Sequence, residues 1–118
     1  LDARLAQAAL MLGRVVSRPT PQHVTLDLGT KGIASDPPIG RRGVILGLED
    51  AVTTVHNEEH WVVTSEHAGA YHVGDALFVV PTHICPNTNL YPVLYIIDAQ
   101  GQVGDHWEVV ARQRALAL

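Results

Sequence analysis

Short β-prone runs, each closed off by Gly, Pro, Asn or Asp, are the feature that most narrows what this chain can fold into. Residues 23–28 (HVTLDL), 44–48 (VILGL), 51–56 (AVTTVH), 60–65 (HWVVTS), 76–81 (ALFVVP) and 92–98 (PVLYIID) each read as one strand. Between them lie loops at 29–36 and 37–43, turns at Glu49-Asp50 and His72–Asp75, and a hairpin turn at 99–101 that leads into 102–112. Residues 82–91 (THICPNTNLY) read as polar and irregular, and 113–118 as a tail. Many short strands at this spacing predict a mainly β fold, a small barrel or sandwich. Residues 2–13 are the exception. Their Ala and Leu content, with Asp2 as a cap and Gly13 as a stop, predicts one short N-terminal helix. Val15 to Pro19 then run on as an extended stretch, and Pro19 and Pro21 break the chain.

The 118 residues form one expected domain, 1–118, with 47% hydrophobic residues, enough to bury a modest core. A net charge of −4 and 5% aromatic residues exclude the basic stripe and stacking platforms of a nucleic-acid binder. No apolar run approaches the roughly 20 residues of a membrane helix, and no leader pattern is visible. Cys85 is the single cysteine, which rules out an internal disulfide and leads us to expect a reducing, cytoplasmic setting. The chain starts Leu1-Asp2 without Met, so we expect a piece of something longer.

Seven histidines against a single lysine, Lys31, direct attention to metal and acid–base chemistry. His83 and Cys85 stand two positions apart between Pro81 and Pro86. On extended backbone, positions i and i+2 share a face about 6–7 Å apart, close enough for both side chains to reach one ion. With one thiol in the chain, such a site would be open, completed by water or substrate. The competing reading makes Cys85 a small core hydrophobe in a non-catalytic closure or interaction module. In the segment Asn57-Glu58-Glu59-His60, Glu59 and His60 are candidates to support a metal ligand from behind, or else form a solvated turn. His56, His67 and His72 fall in or near turns and are expected at the surface. Lys31 could suggest a Schiff base, but its Gly-rich loop in so small a domain points to a structural or salt-bridging role.

The run Thr82-His83-Ile84-Cys85-Pro86 with Asn89-Leu90, then Trp107 and Ala111-Arg112, resembles the C-terminal domain of D-threonine aldolase and D-serine dehydratase. Val16-Ser17-Arg18-Pro19, Leu26 to Lys31 with Ser35-Asp36, Glu58-Glu59-His60, Gly74-Asp75 and Val80-Pro81 follow in the same order. Together they extend from about residue 14 to Arg112. The resemblance implies a pyridoxal-phosphate lyase of the alanine-racemase type, acting on β-hydroxy D-amino acids. Its cofactor would sit on an N-terminal barrel that this chain lacks. The resemblance also implies a divalent metal on His83 and Cys85, and a homodimer in which a β domain faces the other subunit's barrel. A thiolate at Cys85 points to zinc ahead of manganese. Asn87 departs from the small or threonine residue commoner there, as does Gln113 from a glycine, and neither is expected to touch the metal ligands.

Overall fold

The computed structural model describes residues 7–113 and Ala115. It is mainly β, as expected, with strands β1 (Met11–Thr20), β2 (His23–Leu26), β3 (Gly43–Ile45), β4 (Val52–His56), β5 (Trp61–Thr64), β6 (Ala76–Pro81), β7 (Val93–Ile97) and β8 (Val103–Glu108). One short helix, α1 (Ile84–Leu90), interrupts them, and single 3-10 turns occur at Ala68–Ala70 and Val110–Arg112.

Two expectations are corrected. Residues 1–6 of the proposed helix over 2–13 lie outside the described residues, and 11–13 begin β1 instead. There the pattern alternates, with Met11, Gly13 and Val15 buried and Leu12, Arg14 and Val16 exposed, the period of a strand covering a core on one side. Residues 84–90, read as irregular, form α1. Pro86 is the third helical residue, in the turn where a missing N–H breaks no helical bond.

The six strands β3-β6-β1-β2-β5-β4 make one antiparallel sheet in that order. β1 holds it together. Met11 to Arg14 pair with β6, and from Val15 onward the strand pairs with β2 through two register shifts. Such bulges bend a strand and raise its twist, so the sheet curls into a half-barrel with β3 and β4 as its edges. Its concave side is filled by Val15, Val24, Leu26, Leu28, Ile33, Ile45, Leu48, Trp61, Val63, Leu77 and Val79. Among the described residues β7 and β8 pair only with each other, and every residue of β8 is exposed.

His56 corrects the surface expectation. It ends β4 facing inward, 8% exposed, with its ring stacked on Trp61 at 4.6 Å between centroids. Its Nε2 is 3.0 Å from the Leu28 carbonyl, so the Nε2–H form donates there. Its buried Nδ1 has no partner among the described residues. Burial foremost, with the nearby Arg42 charge, pushes the His56 pKa down, against the opposing pull of that hydrogen bond. His67 and His72 are exposed, as expected.

Candidate metal site

The long connection from β2 to β3 organises the candidate residues. Its first part is locked to the β4–β5 turn: Thr30 N–H donates to Asn57 O at 2.8 Å and Lys31 N–H to Glu58 O at 3.0 Å. The approach is so close that a β-carbon on Gly29 would collide with the Glu58 backbone. Its second part meets the α1 region, where Tyr91 Oη donates to Gly32 O at 2.6 Å and Ala34 N–H to Asn87 Oδ1 at 2.8 Å. One loop thus carries Lys31 to the β4–β5 turn and Asp36 to the start of α1.

At that start, His83 caps α1 on extended backbone (φ −131°, ψ 104°). Its Nδ1 lies 2.6 Å from Asp36 Oδ2, with both side chains about half exposed. A carboxylate cannot donate when ionised, so the imidazole supplies the proton and Nδ1–H points at Asp36. In the neutral ring Nε2 then keeps its lone pair, the arrangement by which carboxylates orient metal-binding histidines. Cys85 is exposed and free. It sits in the first turn of α1, so strand alternation does not describe 83–85. The expectation that the two side chains share a face of extended backbone is therefore corrected: only His83 is extended, and Cys85 is helical.

Among the described residues, no group of three or more His, Cys, Asp and Glu is gathered to hold an ion. An imidazole Nε2 and a cysteine sulfur are donor types found in open metal sites, which need further ligands from elsewhere.

Glu59 and His60 are placed in the β4–β5 turn. Glu59 Oε1 accepts from Lys31 Nζ at 2.5 Å, an exposed ion pair. His60 N–H donates to Asn57 Oδ1 at 2.8 Å. The carboxylate that meets His83 is Asp36, forty-seven residues away in sequence. No periodicity marks that pairing, and the sequence shows Asp36 only as half of the Ser35-Asp36 motif. Lys31 is held by the hydrogen bond to Glu59 and then by its charge, which raise the ammonium's pKa. This exposed ion pair is the salt-bridging engagement expected of Lys31. Asn87 does touch the site, contrary to expectation: its Nδ2 donates to the His83 carbonyl at 2.5 Å.

A family model described as a putative serine dehydratase domain matches residues 8–97. A D-threonine aldolase of an Arthrobacter species is 37% identical over 105 residues, covering 86% of this chain and 26% of its own length. An uncharacterized protein of Mycobacterium tuberculosis is 32% identical over 114 residues, and there the chain covers 85% of the relative. Among solved structures, the D-threonine aldolase of Filomicrobium marinum superposes with a TM-score of 0.74 at 22% identity, over 87% of this chain and 28% of that one. The D-threo-3-hydroxyaspartate dehydratase of Delftia sp. HT23 gives 0.66 at 21% identity, over 82% and 30%. D-threo-3-hydroxyaspartate dehydratase has also been solved with a histidine replaced by alanine, and, in a metal-free form, with a cysteine two positions further on replaced by alanine. The chain therefore spans about a quarter to a third of the enzymes it matches.

Proposed function

Because this chain belongs to the family of putative serine dehydratase domains, we propose that it is the metal-bearing β domain of a pyridoxal-phosphate lyase acting on β-hydroxy D-amino acids. The observation that carries this reading is the His83–Asp36 pair, which leaves Nε2 free two residues before an exposed thiol. The histidine and cysteine altered in the D-threo-3-hydroxyaspartate dehydratase variants have the same spacing as His83 and Cys85.

His83 would hold the ion through Nε2 and Cys85 through its thiolate, with zinc favoured over manganese by the soft sulfur donor. Asp36 keeps the proton on Nδ1 and fixes the ring's direction. A divalent ion held there by His83 and Cys85 would supply Lewis acidity to a substrate hydroxyl, which favours both loss of water and carbon–carbon cleavage. Electron withdrawal by the pyridoxal ring belongs to a barrel outside this chain, in keeping with the engagement of Lys31 by Glu59. That barrel, of the same or a second subunit in a homodimer, would cover the β7–β8 hairpin. The hairpin leaves Tyr95, Val103 and Trp107 about two-thirds exposed.

Zinc content and lyase turnover test the reading together. His83→Ala should remove zinc, measured by elemental analysis, while circular dichroism keeps the β signal. Assayed with its barrel, the wild type should turn over D-threonine or D-threo-3-hydroxyaspartate, and the variant should not. Full zinc content in His83→Ala defeats the proposal.

A further inference from the structure

Asp36 and His83 approach each other across a frame built from two buried polar side chains. Asn87, 1% exposed, lies in α1. Its Oδ1 accepts from Ala34 N–H at 2.8 Å and its Nδ2 donates to the His83 carbonyl at 2.5 Å. The orientation of the amide follows from its partners, since a backbone N–H can only donate and a carbonyl can only accept. Arg42, 8% exposed, grips the other side. Its Nε donates to Pro37 O at 3.2 Å and its Nη2 to Ser35 O at 3.4 Å, the residues on either side of Asp36. The Arg42 carbonyl in turn accepts from Thr82 N–H at 3.0 Å, beside His83.

A buried amide is costly unless its hydrogen bonds are made, and an apolar side chain of similar volume would fill the same space without that cost. What the amide adds is a rigid link between the peptide two residues before Asp36 and the peptide of His83 itself. We propose that Asn87 is a positioning residue for His83. By tying Ala34 to the His83 carbonyl, it sets the separation at which Asp36 accepts the hydrogen bond from Nδ1–H. The ring is thereby held in the tautomer whose Nε2 can bind a metal.

A neutral imidazole left to itself prefers the Nε2–H form, so the held tautomer is a measurable departure. Imidazole nitrogen NMR on the metal-free chain, at alkaline pH where the rings are neutral, reads it directly. The wild type should show His83 as Nδ1–H. Asn87→Leu removes both links. Asn87→Asp keeps the acceptor for Ala34 but sets an oxygen against the His83 carbonyl. In either variant, with amide dispersion showing the fold intact, His83 should move to the Nε2–H form while the other histidines keep their signals. A folded variant with the wild-type His83 tautomer overturns the proposal. Should both variants unfold, the wild-type spectrum decides, because a ring already in the Nε2–H form leaves nothing to be held.

A second arm rests on the proposed function: zinc affinity should fall about 10- to 100-fold in the folded variants. A wild-type chain that takes up no zinc would sink that function while leaving the tautomer result standing.

Discussion

Two histidines in this chain meet opposite fates, and their surroundings decide which. His83 stands half exposed beside a carboxylate, and His56 is shut against Trp61 with Leu28 as its acceptor. Replacing Asp36 with Ala removes the acceptor that fixes the His83 ring. The expected result is a 10- to 100-fold weaker zinc affinity in a chain of unchanged fold, read by competition with a chromophoric chelator. His56 acts on stability instead. Burial holds its folded pKa below the free value of about 6.5. As pH falls through that value the unfolded chain binds a proton that the folded chain resists, so the His56 contribution is complete above it and is lost on acidification. Thermal unfolding should show the midpoint dropping between pH 7 and 5. In His56→Gln the midpoint should be lower at neutral pH and should fall less steeply with acid. A slope identical to wild type would remove His56 from the account.

At the scale of elements, the strands were legible because one-sided burial imposes a period of two and turn residues close each run. The strands predicted over 51–56, 60–65 and 76–81 match β4, β5 and β6 within a residue at each end. The helix was not legible. Pro86 and the polar residues around it read as loop, although proline is tolerated in a first turn and Asn87 is buried by tertiary bonds that leave no local pattern. The same limit hid Asp36: a loop residue meeting a partner forty-seven positions on carries no periodicity. The Ala and Leu around residues 7–13 misled in the other direction, since composition favoured helix where alternation in β1 favours strand. The loop contact at Gly29 gives a sharp element-scale prediction. Gly29→Ala must push the 29–36 loop off the Glu58 backbone. Chemical denaturation should find a loss of about 1–3 kcal/mol, the usual cost of overpacking, and wild-type stability would contradict the close approach.

Over the whole molecule, apolar surface is divided unevenly. The half-barrel buries Trp61 at 2% exposure, and the hairpin leaves Trp107 at 66%. A two-stranded ribbon is marginal by itself in water and is stabilised by packing against something else. In the isolated chain, acrylamide should quench the emission of Trp107 freely and leave that of Trp61 protected, a split that Trp107→Phe abolishes. Trp107→Phe should change stability by no more than about 0.5 kcal/mol, as surface replacements do. The match to enzymes covers only 26–30% of their length.

The proposed function rests on two candidate donors at the start of α1, His83 and Cys85. X-ray absorption at the zinc edge of the zinc-loaded chain tests them most directly. The account predicts one sulfur scatterer at about 2.3 Å and an imidazole nitrogen at about 2.0–2.1 Å, with oxygen completing the shell. A shell without sulfur, or one unchanged in His83→Ala, would contradict it.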